Sequence, residues 1–383
     1  MSVLTHHATP GLATWMENDQ VRSAMWRTEC NSHLPKRIKV VDDTLAADLA
    51  FRMANEGTAM LWRGDFQNAK QLLNALARRA KKEKQSKTNL APHAAFNMYR
   101  LKQSQRARLL NMLLIEVDAN YQLNLRRAPD VSDACRVVFG ESNEPFLLSL
   151  RALQGIIGSY EWRKKGIAIP ALEQSIHVHY GVFSPIRGEY IDLVNQAPLP
   201  TTELAFDIGT GSGVLAAVLA WRGVKKIIAT DVDPRALACA RDNVERLGLN
   251  ERIELMQADL FPPGKSALIV CNPPWLPARP TSSIERAIYD PDNHMLLGFL
   301  NGLAEHLTPE GEGWMIISDL AEHLELRSRE FLLQAIKQAG LRVVGKLDAR
   351  PKHPKAFDDS DLLHEARAAE VTSLWRLVAR DLG

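Results

Sequence analysis

The hydrophobic pattern of the chain changes character near residue 150. Before that point apolar residues recur at helical spacing, and the clearest set is Phe66, Ala69, Leu72, Leu73 and Leu76. Gly64-Asp65 precedes this set and supplies a break and an N-cap. A second apolar stripe predicts a helix from Pro92 to about Tyr121, whereas residues 1–40 show little periodicity and predict an irregular lead-in. We therefore expect a mainly helical domain over residues 1–150.

The second part of the chain, residues 151–383, carries the pattern of a parallel sheet. A β-hairpin is predicted over 165–183, because two β-branched runs there flank a short polar break. Over 184–383 short apolar strands alternate with amphipathic helices, and the strand candidates are ELAFD, KIIAT, RIELM, ALIVC, GWMIIS, LRVVG and VTSLWRLVA. This alternation predicts an α/β fold with a Rossmann-like, seven-stranded, mostly parallel sheet covered on both faces. The last two strands are expected to form an antiparallel pair.

Length and cysteine usage limit the class of protein. A chain of 383 residues predicts about two domains. The four cysteines, Cys30, Cys135, Cys239 and Cys271, lie far apart without a CxxC pair, which argues against a metal site and a disulfide framework. The sequence has neither the layout of a signal peptide nor an apolar stretch of the ~18 residues that cross a bilayer. These features predict a soluble, cytoplasmic protein without a metal.

Positive charge is concentrated in one part of the chain. Although the net charge is only +2, residues 61–110 contain 12 Lys or Arg against Asp65 and Glu83. This run has two interpretations: a solvated face with a disordered linker, KKEKQSKTN, or a contact with nucleic acid or a ribonucleoprotein surface. The charge pattern alone leaves both open, because no ladder of aromatic residues accompanies it.

A glycine-rich turn follows the first strand of the predicted sheet. The strand ELAFD leads into a segment whose candidate cofactor-binding residues are Asp207, Gly209, Thr210, Gly211 and Gly213. Glycines at such a turn let the backbone approach a ligand closely. Eighteen residues after Gly213, Asp231 ends the next strand, where a carboxylate can accept hydrogen bonds from both ribose hydroxyls. The spacing predicts a site for a nucleoside cofactor.

Two residues of this segment favour one cofactor over another. A dinucleotide-binding fingerprint requires glycine or alanine at position 214, where this chain has Val214, and Asp207 would repel a pyrophosphate. A carboxylate suits instead a ligand whose amino acid end carries an ammonium group. S-adenosylmethionine therefore fits, and a nicotinamide oxidoreductase is disfavoured. Asp259-Leu260 at the end of the third strand is a weaker candidate, as an acceptor for the adenine amine and an apolar cover for its ring.

A tetrapeptide with specific chemistry ends the fourth strand, ALIVC. It comprises the catalytic candidates Asn272, Pro273, Pro274 and Trp275, and strand order places it in the same crevice as the glycine loop. An –NH2 group on an amide or an aromatic base is a poor nucleophile, because its lone pair is delocalised. The Asn272 side-chain oxygen and the Pro273 carbonyl can each accept one N–H, while Trp275 offers a flat face to a planar substrate. Cys271 is interpreted as a small buried strand residue.

These motifs together resemble a known family. The C-terminal half is similar to class I S-adenosylmethionine-dependent methyltransferases of the small-methyltransferase type, most of all to release-factor glutamine-amide methyltransferases. The cofactor loop of that family corresponds to DIGTGSG, its ribose carboxylate to Asp231 and its NPPY motif to NPPW. Looser matches at GVFSPIRGEYIDLV and AIYDPDNHMLLGFLNGLAEHL extend the resemblance over residues 165–345. Nucleic-acid amino-methyltransferases share the (D/N)PP(F/Y/W) motif, so it implies the reacting group and not the molecule that carries it.

The resemblance implies methyl transfer to a planar –NH2 group without a metal. Trp275 stands where the glutamine-specific enzymes have tyrosine, and the N-terminal region is longer and more basic than theirs. A protein glutamine amide and the exocyclic amine of an RNA base therefore both remain candidate acceptors, with the ribosome or its RNA as partner in the second case. A non-catalytic RNA-binding protein on a methyltransferase fold is the alternative. We expect a basic N-terminal group to deliver the acceptor, namely Arg78, Arg79, Lys81, Lys82, Lys84 and Lys87.

Overall fold

The computed structural model describes residues 11–28, 34–81, 90–186, 188–282, 284–352, 357–358 and 360–380. The chain divides into two compact units. The first comprises residues 1–90 and 97–161, and the second comprises residues 91–96 and 162–383. Within the described residues no helix has both the length and the apolar character needed to span a membrane.

The first unit is built on a six-stranded sheet with the strand order β1-β2-β6-β5-β4-β3. Its strands are β1 (Leu12–Glu17), β2 (Gln20–Trp26), β3 (Arg37–Val41), β4 (Thr58–Trp62), β5 (Leu113–Val117) and β6 (Phe146–Ser149). Its helices are α1 (Ala47–Asn55), α2 (Phe66–Lys81), α3 (Pro92–Leu110), α4 (Ser132–Phe139) and α5 (Leu150–Lys165), of which α3 and α5 extend into the second unit. Strands β3, β4 and β5 are parallel.

The prediction of a mainly helical N-terminal domain was wrong. The domain contains a six-stranded sheet as well as helices, and the expected irregular lead-in contains the antiparallel pair β1 and β2. The predicted helix from Pro92 to Tyr121 ends at Leu110, and Leu113–Val117 is a buried strand. Short apolar runs cannot be assigned from periodicity alone, because a fully buried strand and a helix segment look alike. The helix beginning at Phe66 is confirmed, and Asp65 caps it by accepting the backbone N–H of Gln67 at 2.8 Å.

The second unit contains the predicted seven-stranded sheet, in the order β11-β10-β9-β12-β13-β15-β14. The hairpin strands β7 (Ile167–Ile169) and β8 (Gln174–Ile176) precede it and pair antiparallel as expected. The sheet strands are β9 (Leu204–Ile208), β10 (Lys226–Asp231), β11 (Ile253–Gln257), β12 (Ser266–Cys271), β13 (Leu307–Ser318), β14 (Leu341–Ala349) and β15 (Thr372–Ala379). Only β15 runs antiparallel to its neighbours, so the predicted antiparallel closing pair is confirmed.

Helices cover both faces of this sheet. They are α6 (Glu189–Gln196), α7 (Val214–Trp221), α8 (Pro234–Arg246), α9 (His294–His306), α10 (Leu320–His323), α11 (Arg329–Gln338) and α12 (His364–Ala369). One core joins α6, α7 and the hairpin to one face, and a second core joins α9 and α11 to the other. Helix α7 is apolar all round and buried up to Ala220, as expected of a helix inside a core.

The boundary predicted between residues 150 and 151 falls at the start of α5, and the observed division follows Glu161 inside that helix. The sequence carries no linker signal there, because α5 begins directly after β6.

Candidate functional site

The central strands of the second sheet bring the predicted site residues to one edge. Strand β9 pairs in parallel with β10 on one side and with β12 on the other. Asp207 lies on β9, Asp231 ends β10, and Asn272 follows β12 directly. Because parallel strands end at the same edge of a sheet, the glycine loop, Asp231 and the NPPW segment share one crevice.

The glycine loop has a backbone that only glycine adopts easily. Gly209, Gly211 and Gly213 have φ values of 71°, 57° and 82°, in the left-handed region. A Cβ on Gly209 would lie 2.6 Å from Met295 Cε, and one on Gly213 would lie 3.2 Å from the Cβ of Ala240 on α8. The positive φ values favour glycine at these positions of the turn, and at Gly213 close packing against α8 adds to that requirement, so the loop presents a backbone cradle.

Asp207 is the buried acid of this loop. Its Oδ2 accepts the Thr210 hydroxyl at 2.6 Å and the backbone N–H of Ala216 at 3.1 Å, which ties the loop to α7. Burial raises the pKa of Asp207 to about 6. Both of these bonds are made by Oδ2, so Oδ1 is the oxygen that can accept a hydrogen bond from a ligand.

Asp231 connects the glycine loop to the start of α8. Its Oδ2 accepts the backbone N–H of Gly211 at 3.0 Å, and its Oδ1 accepts that of Asp233 at 2.9 Å. Burial raises the pKa of Asp231. A carboxylate oxygen has more than one acceptor direction, so the two oxygens can still receive the hydroxyls of a ribose. The loop and this carboxylate fit a nucleoside with a cationic amino acid end.

Asp259 and Leu260 lie just beyond the end of β11. Asp259 is exposed, and Leu260 is partly buried with a positive φ of 72°. The Leu260 carbonyl accepts the Thr230 hydroxyl at 2.5 Å, and its side chain packs so closely on α9 that a Cβ on Gly298 would lie 2.7 Å from it. Their expected contact with adenine stays a prediction.

The NPPW segment contains a hydrogen bond that the sequence did not reveal. The Trp275 indole N–H donates to Asn272 Oδ1 at 2.9 Å. Trp275 also packs against both cores of the unit, while Pro273 and Pro274 are buried. The tryptophan thus fixes the orientation of the Asn272 amide, whose oxygen retains one further acceptor direction. Cys271 is fully buried, and burial raises the pKa of its thiol well above the usual range, as expected of an inert strand residue.

Asp290 holds the segment that follows the motif, and sequence reasoning did not assign it a role. Its backbone N–H donates to the Leu276 carbonyl at 2.8 Å, one residue beyond Trp275. Its side chain accepts the backbone N–H groups of Met295 and Leu296 at 2.9 and 3.0 Å, at the start of α9. The Asp-Pro pair before a helix was the available signal, since Asp is a favoured cap.

Arg327 supports the same turn from the loop before α11. It is only 6% exposed, and its Nη1 donates to Asn293 Oδ1 at 2.9 Å. Burial lowers the pKa of Arg327 to about 10, so it remains charged at neutral pH. No sequence pattern identifies this arginine, because the contact joins residues 34 positions apart.

Asn243 on α8 attaches the hairpin segment to the cofactor loop. Its Nδ2 donates to the Ser212 carbonyl at 3.0 Å and to the His177 carbonyl at 3.2 Å, while its Oδ1 accepts the His177 backbone N–H at 2.7 Å. A single buried amide therefore positions the glycine loop against the chain that precedes it. Among the described residues, no group of three or more His, Cys, Asp or Glu side chains is arranged to hold a metal ion.

Comparisons with known proteins find a family match inside the second unit. A family model for ribosomal protein L11 methyltransferase matches residues 191–273. A tRNA1(Val) (adenine(37)-N6)-methyltransferase of Bacteroides thetaiotaomicron is 32% identical over 176 residues, which cover 43% of this chain and 73% of the relative. A release factor glutamine methyltransferase of Cereibacter sphaeroides is 29% identical over 43% of this chain and 63% of its own length.

Solved structures align with this chain at low overall similarity. A ribosomal protein L11 methylase from Lactobacillus delbrueckii subsp. bulgaricus aligns with 20% identity and a TM-score of 0.38, over 54% of this chain and 86% of that one. The relatives match less than half of this chain, and this chain covers less than two thirds of the release factor enzyme. Taken with the site geometry, the match to the tRNA adenine enzyme places this chain in the family of S-adenosylmethionine-dependent N-methyltransferases.

Proposed function

We propose that this enzyme methylates a planar –NH2 nitrogen held at Asn272 and Pro273, either a protein glutamine amide or the exocyclic amine of an RNA base. The observation that carries the proposal is the oriented Asn272 amide at the end of β12, beside the glycine loop that follows the neighbouring strand β9. We assign the cofactor to the cradle of Asp207, Gly209, Thr210, Gly211 and Gly213, with Asp231 receiving the ribose. Asp259, Leu260 and Asn272 complete this proposed cofactor site.

The proposed mechanism rests on hydrogen-bond acceptors and positioning. The cofactor, when bound, supplies a methyl group on a positively charged sulfur. Asn272 Oδ1 and the Pro273 carbonyl each accept one N–H of the acceptor, which turns the nitrogen lone pair toward the methyl carbon. Transfer of this methyl group would form the N–C bond as the C–S bond broke, and the methylated nitrogen would then release one proton to solvent. Much of the acceleration is expected to come from holding the two reactants in line.

Trp275 has two parts in this proposal. Its N–H holds the Asn272 oxygen in place, and its partly exposed ring offers a flat surface to an amide or a base. A tyrosine hydroxyl would lie differently, so the tryptophan is also expected to influence which acceptor is accommodated.

Two classes of acceptor are represented among the relatives. One relative is named for adenine in transfer RNA, and another for glutamine in a release factor. The basic run over residues 61–110 supports the RNA acceptor, whereas NPPW is compatible with both. Of the six basic residues expected to deliver the acceptor, Arg79 pairs with Asp48, and Lys82, Lys84 and Lys87 lie outside the described residues.

A labelled-methyl experiment tests the proposal. The purified enzyme is incubated with methyl-labelled S-adenosylmethionine and with separate RNA and protein fractions of a lysate. We expect label in one fraction as an N-methylated amine or amide, and none with Asn272→Ala. Tight cofactor binding without label in either fraction would support the alternative of a non-catalytic RNA-binding protein.

A further inference from the structure

The longest described helix of the chain, α3 (Pro92–Leu110), has an unusual composition and exposure. It contains Arg100, Lys102, Arg106 and Arg108 but no Asp or Glu in its 19 residues. Phe96 near its start and Leu109-Leu110 at its end are buried. Every residue from Asn97 to Arg108 is at least partly exposed. The middle of α3 therefore carries no buried apolar stripe.

Three cations of this helix differ from those arginines of the first unit that face acidic side chains. Arg63, Arg79, Arg126, Arg127 and Arg136 each form an ion pair with a carboxylate. Lys102, Arg106 and Arg108 pair with no carboxylate of the residues that the structure describes. Their charges are therefore not neutralised within the described chain and are available to an external polyanion.

The start of α3 is linked to the segment beside the proposed acceptor site. Phe96 packs edge-on against Tyr289, with 6.4 Å between ring centroids. Tyr289 forms a bridge with Leu276, which follows Trp275 directly. Both rings belong to the second unit, so this contact anchors the first turn of α3 beside the NPPW loop.

We propose that α3 is the RNA-docking helix of this enzyme, on which Lys102, Arg106 and Arg108 contact the phosphate backbone of the acceptor RNA. The inference rests on the proposed function and deepens it by selecting the class of acceptor. RNA fits better than a protein, because the helix presents cations without acids. The core of a protein interface is richer in apolar side chains, and the exposed large apolar side chains of α3 are the neighbouring Met98 and Leu101, which form a small patch. Phosphate contacts position a nucleic acid without reading its sequence.

The test compares two triple variants with the same change of charge. K102Q/R106Q/R108Q removes the three cations of α3. The control, K225Q/K226Q/K265Q, removes three exposed cations near the amino ends of the strands in the second sheet, which is the edge opposite the crevice. Binding of a fluorescein-labelled transfer RNA transcript is measured by anisotropy for both variants and for the unmodified chain, at several salt concentrations.

Counterion release predicts the size of the effect. Each lost phosphate contact lowers the slope of log affinity against log salt by about 0.7–0.9, so the α3 variant is expected to lose about 2 from the slope. At ~0.1 M salt this corresponds to roughly tenfold to hundredfold weaker binding. The control variant should retain the affinity and slope of the unmodified chain to within about threefold. S-adenosylmethionine affinity should be the same for all three proteins, which also shows that the variants are folded.

Two outcomes would overturn the inference. One is an α3 variant that binds the transcript as tightly as the control does. The other is an unmodified chain that shows no salt-dependent binding to RNA but methylates a protein amide. In that case the proposed N-methylation stands and the role of α3 is wrong. Failure of methyl transfer to every acceptor, with intact α3-dependent RNA binding, would instead contradict the proposed function and leave the docking helix supported.

Discussion

Both units carry aspartates at the carboxyl edge of parallel strands, and these aspartates have opposite environments. In the first unit Asp65 follows β4 and accepts Arg127 Nε at 2.6 Å, and this bond lowers the pKa of Asp65. In the second unit burial raises the pKa of both Asp207 and Asp231. No Lys, Arg or His among the described residues forms an ion pair with either of these two.

The comparison shows what separates a structural acid from a binding acid. In the first unit, side chains of the protein occupy this edge. Asp43 pairs with Arg126 at 2.6 Å, and a Cβ on Gly64 would lie 2.6 Å from Asp43 Oδ1. In the second unit amide and hydroxyl hydrogens hold the acids, and glycines keep the edge open. A buried acid that no cation neutralises favours a cationic ligand. This difference supports the proposed assignment of the cofactor to the second unit.

The largest expected effect comes from Asn272, which addresses the acceptor in the second unit. Asn272→Ala should reduce kcat by about a hundredfold to a thousandfold, as removal of one hydrogen-bonding group at a reacting centre does. Cofactor affinity should change by less than about threefold, because the side chain addresses the acceptor. Single-turnover methyl transfer and calorimetry measure the two quantities.

Trp275→Phe is the companion variant, since it removes the indole N–H that orients Asn272 and keeps a smaller aromatic ring at the same position. It should lose less activity than Asn272→Ala. If Asn272→Ala methylates the acceptor at a near-native rate, the proposed role of the amide oxygen is incorrect.

A matched pair of variants tests the two kinds of aspartate directly. Asp231→Ala should weaken S-adenosylmethionine binding at least tenfold, because charge-assisted hydrogen bonds to two hydroxyls contribute about 1.5–3 kcal/mol each. Asp65→Ala removes a helix cap and an ion pair, so it should lower the Tm while cofactor affinity stays within twofold. Equal cofactor affinity in folded Asp231→Ala and unmodified enzyme would remove Asp231 from the site.

The second unit could be predicted well because its signals are local and regular. Each strand is a short apolar run between amphipathic helices, and this pattern predicts the parallel order that brings DIGTGSG, Asp231 and NPPW to one edge. The first unit offered no comparable regularity. Its strand β5 reads as the continuation of α3, and the antiparallel pair β1 and β2 lies in a segment without a clear period.

The residues that hold the site together could not be predicted, for a different reason. Asn243 and Arg327 act through contacts with Ser212 and Asn293, which are distant in sequence and have no fixed spacing from them. The Asn272–Trp275 bond is local, but a conjugated ring beside an amide predicts stacking on a substrate as readily as a hydrogen bond. Motifs thus indicate the reacting groups, and tertiary contacts decide their orientation.

An intermediate effect is expected for Asp290, whose side chain accepts backbone N–H groups at the start of α9 and is not assigned to a ligand. Asp290→Ala should destabilise the fold by about 1 kcal/mol, the usual cost of losing a helix N-cap. Asp290→Asn keeps one acceptor oxygen and should restore part of the loss. Thermal unfolding measures both variants, and equal Tm values for Asp290→Ala and the unmodified enzyme would contradict the capping role.

The smallest expected effect is a pH dependence that distinguishes Asp207 from Asp231. In the folded protein the pKa of Asp207 is raised to about 6, whereas in the unfolded chain it has the ordinary value for aspartate. The folded state therefore binds the carboxyl proton more tightly, and the stability that this proton contributes is lost as the pH rises toward 6. A ligand ammonium favours the ionised carboxylate and must displace that proton in mild acid. S-adenosylmethionine affinity should therefore fall about fourfold between pH 7 and pH 5.5.

Methylthioadenosine, which has the ribose but lacks the amino acid end, provides the control for this measurement. Its affinity should not change over the same interval if Asp207 alone responds to the ammonium, and Asp207→Asn should remove the dependence for S-adenosylmethionine. The same decrease for both ligands would instead assign the proton to Asp231, whose pKa burial also raises. Calorimetric titrations at matched ionic strength separate the two cases, because salt would otherwise screen the ammonium–carboxylate attraction.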